Sequence, residues 1–288
     1  MPLPEFEIKK PVTLEQALEI LDKGKPGEIM VMAGGTDLVI RMKQGDTSPR
    51  MIVLLENIPS IDSIECSNGA VRIGARATFS RIIESDIIRS RAPILARACE
   101  RIGAPQLRNR GTIGGNIANA SPCADSVPPL VVLGARVVLA SVSGKRSLPI
   151  LECFRGPKEN AFSHNEIITR IEFPVPPQPQ NSFYLEKGQR NALSVTKLSV
   201  ACQLELSGDM VQKIRIAYGA VGPTVLRGFE AEKHLKGKEL TEESIKRASL
   251  LAAEETKPIT DIRSTEEYRR TVTGVLLKKG LRQIAKIS

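Results

Sequence analysis

Two glycine-rich stretches hold the residues best suited to chemistry. The longer is Asn109-Arg-Gly-Thr-Ile-Gly-Gly-Asn-Ile-Ala-Asn-Ala120, followed by Ser121-Pro-Cys-Ala-Asp125. Gly111, Gly114 and Gly115 fall within five positions and alternate with hydroxyl and amide side chains. Glycine tolerates positive φ and lets a ligand reach the bare backbone, and consecutive exposed N–H groups form a concave anion site. Thr112, Asn116 and Asn119 can add side-chain hydrogen bonds. The second stretch, Val31-Met-Ala-Gly-Gly-Thr-Asp37, follows an apolar run from Ile29 to Ala33. Each stretch on its own reads equally as a tight turn between packed elements. Together they could grip two parts of one long anionic ligand, such as a dinucleotide. A Rossmann site is excluded: the pattern is G-G-T-D rather than G-x-G-x-x-G, and Asp37 stands too near the turn to be that fold's ribose-binding acid.

Other chemistries are poorly served. The two histidines, His164 and His234, lie outside both stretches, so no Ser-His-Asp or Cys-His arrangement is credible. Five cysteines (66, 99, 123, 153 and 202) include no C-x-x-C pair, so neither zinc nor a cysteine-ligated cluster is signalled. The carboxylates show no paired spacing that argues for acid–base work. The net charge of +9 (41 basic against 32 acidic residues) comes without a compact Lys/Arg stripe, and aromatics are 3% with no Trp. Both facts speak against nucleic-acid binding. No apolar run approaches the roughly 20 residues of a membrane span, and the N-terminus lacks a signal-peptide pattern. We expect a soluble cytoplasmic protein with reduced thiols.

The two stretches, Ala33-Gly-Gly-Thr-Asp37 and Thr112-Ile-Gly-Gly-Asn116, resemble the FAD pyrophosphate loops of the medium, flavin-binding subunit of molybdenum hydroxylases, the xanthine dehydrogenase and carbon monoxide dehydrogenase family. The likeness covers nearly the whole chain. It implies an α+β fold: a two-part PCMH-type FAD-binding domain over residues 1–176, and a C-terminal domain of a small antiparallel sheet with helices over 177–288. It implies an oxidoreductase subunit with non-covalent FAD, passing electrons from two [2Fe–2S] clusters to an acceptor such as NAD or a quinone. The clusters would sit on a small iron–sulfur subunit and a molybdenum–pterin cofactor on a large one, in a dimer of heterotrimers. A free-standing flavin dehydrogenase or oxidase, or a non-redox nucleotide-binding scaffold, are the alternatives.

The cofactor-binding set carried by the resemblance is Met32, Ala33, Gly34, Gly35, Thr36, Asp37, Leu38, Ile102, Thr112, Ile113, Gly114, Gly115, Asn116, Asp125, Ile168, Lys187 and Val195. Gly34, Gly35 and Thr36 would present amides to one phosphate; Thr112, Gly114 and Gly115 would serve the other. Ile102 would lie near the adenine half. Asp125 would contact FAD, though it also reads as a helix N-cap. Ile168 would offer a backbone contact. Lys187, otherwise a surface lysine, would stand beside the flavin, and Val195 against its ring.

The elements that must position these residues are legible in part. Thr13-Leu-Glu-Gln16 is a capping-box pattern starting a helix to about Lys23, with Leu14, Ala17, Leu18 and Leu21 as its apolar face. Phe6–Lys9, Ile29–Ala33 and Met51–Leu55 read as strands. Ser67-Asn-Gly69 joins a hairpin of 61–65 and 71–75, and Ser143-Gly-Lys145 one of 136–142 and 146–150. Thr78 caps a short helix, Pro93 opens another through Arg101, and 125–133 is helical with Pro128 and Pro129 near its start. Glu166–Phe173 is a strand, and the proline-rich Pro174–Gln180 marks the domain boundary. Beyond it, 182–186, 199–206 and 211–218 read as strands, the last two joined at Ser207-Gly-Asp209. Helices follow over 226–235, 241–255 and 264–287, the last with a capping box at Ser264 and Glu267.

Overall fold

The computed structural model describes residues 3–190 and 194–287. The chain opens with β1 (Glu7–Lys9), α1 (Leu14–Asp22), β2 (Ile29–Met32), α2 (Leu38–Gln44) and β3 (Met51–Leu54). The three strands form a parallel sheet in the order β1-β3-β2. Thr13 caps α1 by accepting from the Gln16 N–H, while the Gln16 side chain reaches back to the Val12 N–H. The apolar face of α1 closes a small core against Val53, Leu55 and Ile61.

A second unit follows: β4 (Ile64–Ser67), β5 (Ala70–Gly74), α3 (Phe79–Glu84), α4 (Asp86–Arg91), α5 (Pro93–Arg101), α6 (Pro105–Arg108), α7 (Ile113–Ala118), α8 (Val127–Leu133), β6 (Arg136–Ser141), β7 (Gly144–Pro149), β8 (Phe154–Gly156), β9 (Glu159–Asn160) and β10 (Ile167–Pro174). Its five-stranded antiparallel sheet has the order β4-β5-β10-β6-β7. β10, last in sequence, lies at the centre, so the sheet closes only when the chain returns from the glycine-rich region. The Asn68-Gly69 turn takes positive φ at both residues, as a tight hairpin needs.

The third unit comprises β11 (Ser182–Lys187), β12 (Leu198–Ser207), β13 (Met210–Gly219), β14 (Leu226–Arg227), α9 (Phe229–Leu235), α10 (Glu242–Glu255) and α11 (Glu266–Ala285). Its antiparallel sheet, β11-β12-β13-β14, is buried on both faces. Val200, Cys202 and Leu204 of β12 join a core with α9, α10 and α11. On the opposite face Ala201, Ala217 and Tyr184 join the core of the second unit. The alternation of a strand thus welds the C-terminal sheet to the rest of the molecule.

Several expectations give way. Helices α2, α4, α6 and α7 form where the sequence reading places none. Leu226 and Arg227 pair with β13 instead of opening a helix, and α9 begins after Gly228, where a Cβ would run into the Tyr218 ring. Thr265, not Ser264, caps α11, accepting from Tyr268 N–H, because Ser264 is held in a bridge with Asp261. The proline-rich boundary is anchored at both ends: Val175 N–H bonds the Gly69 carbonyl, and Gln178 bonds the backbone of Leu206.

Candidate functional site

The first glycine-rich turn lies between β2 and α2. Its N–H groups at Gly34, Gly35, Thr36, Asp37 and Leu38 find no acceptor among the described residues. Gly35 has φ +75°, which curls the chain and points successive amides toward one side. Asp37 holds the N-cap position of α2 but makes no capping bond. Its carboxylate instead accepts from Asn119 Nδ2 at 2.6 Å, and Asn119 Oδ1 accepts from Lys158 Nζ at 3.1 Å. A Cβ on Gly34 would overlap the carbonyl oxygen of Arg110. The two glycine-rich stretches therefore touch, backbone to backbone.

The second stretch is a helix start rather than a turn. Thr112 is the N-cap of α7, its hydroxyl accepting from Gly115 N–H at 3.2 Å. The Ile113 and Gly114 N–H groups donate to the carbonyls of Ala77 and Ala75, at 3.1 and 2.9 Å. Asn116 N–H donates to the Thr112 carbonyl. The Gly114 and Gly115 amides, expected to serve a phosphate, are thus already bonded within the protein. None of Gly111, Gly114 and Gly115 has positive φ. Their role is room: a Cβ on Gly114 would sit 2.7 Å from that of Ala75, and one on Gly111 3.0 Å from the Phe79 ring. Both allow α7 to pack against β5 and α3.

Both stretches line one cleft of about 470 Å³. Met32 through Leu38, Ile102, Thr112, Gly115 and Asn116 all face it, together with Asn119. Ile113 and Gly114 are buried behind it. Sequence reasoning missed Arg41, Phe79, Leu107 and Asn160, which also line it. For Arg41 the signal was available: it stands one helical turn beyond Asp37, once α2 is recognised. The cleft therefore pairs bare amides and one guanidinium on one wall with Asn116, Asn119 and an exposed Gly115 on the other. That is a surface for a polyanion with apolar ends.

The remaining expected residues gather elsewhere. Asp125 does not cap α8; Ser126 holds that position. Its Oδ1 accepts from Tyr184 Oη and from Thr196 Oγ1, both at 2.7 Å. Thr196 Oγ1 also lies 3.1 Å from Glu186 Oε2, and Arg101 donates to Glu186 Oε1 through Nε and Nη2 at 2.8 and 2.6 Å. Desolvation pushes the Asp125 carboxyl up to about 6, against the hydrogen bonds from Tyr184 and Thr196 that pull it down. Val195 is exposed beside Thr196, and Lys187 is exposed at the end of β11, where its carbonyl accepts from Lys197 N–H. Ile168 is buried at the irregularity of β10 and does not line the cleft. Helix α5 links the two places: Arg101 ends it at the Glu186 cluster, and Ile102, the next residue, faces the cleft. Among the described residues no group of His, Cys, Asp or Glu could hold a metal.

The fold and the cleft define a flavoprotein domain joined to a helix-backed antiparallel sheet. Residues 4–176 match the family described as the FAD binding domain in molybdopterin dehydrogenase, and residues 183–284 match the CO dehydrogenase flavoprotein C-terminal domain. This chain belongs to that family: it is a flavin subunit of the molybdenum hydroxylases and an oxidoreductase component. It is 33% identical to the glyceraldehyde dehydrogenase medium chain of Sulfolobus acidocaldarius, covering 98% of this chain and 99% of that one. It is 32% identical to the carbon monoxide dehydrogenase medium chain of Hydrogenophaga pseudoflava, over 96% of both. Among solved structures, a chain of quinoline 2-oxidoreductase from Pseudomonas putida 86 superposes with TM-score 0.94 at 26% identity, covering 99% of each chain. A chain of carbon monoxide dehydrogenase from Hydrogenophaga pseudoflava superposes with TM-score 0.91 at 30% identity, covering 98% of each.

Proposed function

We propose that this chain holds FAD non-covalently in the cleft between its glycine-rich stretches and serves as the exit point for electrons in a multi-subunit molybdenum hydroxylase. The observation that carries this is the run of amides from Gly34 to Leu38, without partners among the described residues, facing Gly115 and Asn116 across one cleft. The residues present fit the cofactor. A diphosphate needs several donors at once, and neutral backbone amides supply them without a long flexible side chain to order. Arg41 adds one charge at the rim. Ile102, Met32 and Leu107 offer apolar surface for an adenine ring. No His or Cys lines the cleft, which supports non-covalent binding.

Bound FAD supplies the redox chemistry; the chain's own residues bind, orient and tune. Asp125 and Ile168 stand outside the cleft lining and would contribute only where the cofactor extends beyond it, toward the start of α8 and β10. Lys187 would place a cation near developing negative charge on the ring. Val195, exposed and small, would leave one ring face open to an acceptor such as NAD or a quinone. By analogy with the named relatives, a large molybdenum–pterin subunit and a small subunit with two [2Fe–2S] clusters would complete a dimer of heterotrimers in the cytoplasm. No helix among the described residues is long and apolar enough to cross a membrane.

Fluorescence-quenching titrations of the purified chain with FAD, with ADP as competitor, test the reading. FAD should bind, ADP should displace it, and Gly115→Val should abolish retention by filling the cleft wall. Riboflavin binding as tightly as FAD, or no binding of FAD at all, would refute it.

A further inference from the structure

The cluster around Asp125 contains a hydrogen-bonding conflict that only a proton resolves. Thr196 Oγ1 lies within bonding distance of two carboxylate oxygens, Asp125 Oδ1 at 2.7 Å and Glu186 Oε2 at 3.1 Å. A threonine hydroxyl has one hydrogen, and an ionised carboxylate has none. With both acids ionised, the hydroxyl donates to one and turns a lone pair on the other. Thr196 is buried, so water cannot mediate freely. The outer ends of the array are fixed. Tyr184 Oη donates to Asp125 Oδ1, and Arg101 grips Glu186 Oε1 through two nitrogens. Every contact is satisfied at once if the array carries one more proton and is ordered from Tyr184 to Asp125, from protonated Asp125 to Thr196, from Thr196 to Glu186, and from Arg101 to Glu186.

We propose that Asp125, Thr196 and Glu186 form a single-proton relay across the domain junction, in which one proton on Asp125 turns the Thr196 hydroxyl to Glu186 and its release to solvent turns the hydroxyl back to Asp125. Protonated, Thr196 is donor to its own domain and acceptor from α8's approach. Deprotonated, it donates only to Asp125 and loses Glu186. No bond to carbon changes; one proton leaves for bulk water and the array gains one negative charge. Thr196 and Glu186 are positioning residues, and what they position is the segment that bears Val195.

The surroundings favour the proton on Asp125 rather than Glu186. Arg101 on α5 stabilises ionised Glu186 directly. Among the described residues Asp125 has no cation in contact. It is faced by the neutral thiols of Cys99 on α5 and Cys123 in the preceding turn, by Tyr184 and Glu186 on β11, and by Arg101 at longer range. Ser199 on β12 is a further hydrogen-bonding neighbour of the Tyr184 hydroxyl. Burial raises the Asp125 carboxyl to about 6, within reach of ordinary pH.

That the held segment faces a flavin rests on the function proposed above; the proton inventory does not. The test therefore uses the full chain without and with FAD. In infrared difference spectra of the flavin-free chain, a protonated-carboxyl band should be present below about pH 6, absent above, and missing in Asp125→Asn. Glu186→Gln should move its midpoint to lower pH by about one unit, about tenfold in proton affinity. In a Thr196→Val background that effect of Glu186→Gln should shrink to the through-space repulsion between the two acids, and Thr196→Ser should restore it in full. An equal shift with and without the Thr196 hydroxyl means the acids interact through space only and overturns the relay. So does the absence of the band from the parent, which requires no variant to fold. Failure of the parent chain to bind FAD would count against the proposed function and leave these spectra to stand by themselves.

Discussion

The turn after β2 and the start of α7 carry similar strings, Gly34-Gly35-Thr36-Asp37 and Thr112-Ile113-Gly114-Gly115-Asn116, yet their amides end in opposite states. In the first, the N–H groups from Gly34 to Leu38 find no acceptor among the described residues. In the second, the amides of Ile113, Gly114 and Gly115 are taken by Ala77, Ala75 and the Thr112 hydroxyl. The glycines differ accordingly. Gly35 is needed for its positive φ, while Gly34 and Gly114 are needed because neighbouring backbone leaves no volume for a Cβ. In the proposed FAD site the two like motifs would divide the work: one would donate, and the other would bring a bare wall close enough to enclose the ligand. Glycine in a sequence announces close approach; whether the approach is to a ligand or to the protein's own chain depends on where the carbonyls are.

The sharpest way to break this comparison is Gly34→Ala. The added carbon overlaps the Arg110 carbonyl, which belongs to the other stretch and cannot swing away as a flexible side chain would. Overpacking of this kind costs about 1–3 kcal/mol, and here it also parts the cleft walls. Both thermal stability and FAD affinity should fall, the latter by about 100-fold or more for about 3 kcal/mol lost. Gly114→Ala should come next. It pushes α7 off Ala75 and should lower the melting temperature comparably. Its loss of FAD affinity should be smaller, because no ligand donor is touched. Gly35→Ala should be mildest in stability, about 1 kcal/mol for forcing a side chain into the left-handed region. Any loss of FAD binding there should exceed what the melting shift accounts for, because the turn re-aims the free amides. Equal binding losses in the Gly35 and Gly114 variants would erase the distinction between the stretches.

What the sequence disclosed was what local residues decide. Thr13 and Gln16 mark a helix start because a cap is satisfied within one turn, and Asn68-Gly69 marks a hairpin because both residues accept positive φ. The three long strands of the C-terminal sheet, β11, β12 and β13, read directly from their apolar runs. What it hid was decided at a distance. The bonded state of the Ile113 and Gly114 amides depends on Ala77 and Ala75, some forty residues earlier. Helix α2 escaped notice because Asp37, at its N-cap, turns to Asn119 instead of capping it. Asp125 looks like a cap in the string Ser121-Pro-Cys-Ala-Asp125. Its real partners, Tyr184 and Thr196, come from the other domain. In each case a side chain with a plausible local role was diverted by a partner that only folding brings near, and those diversions cluster around the glycine-rich cleft and the domain junction.

The most direct test of the unequal division is an amide NMR titration of the isotope-labelled chain with ADP, which brings a diphosphate and no flavin ring. The account predicts that the N–H resonances of Gly34, Gly35, Thr36, Asp37 and Leu38 shift strongly downfield as they acquire an acceptor. Those of Ile113 and Gly114, already bonded to Ala77 and Ala75, should hold their positions. Large shifts at Ile113 and Gly114 with the first turn unmoved would contradict it.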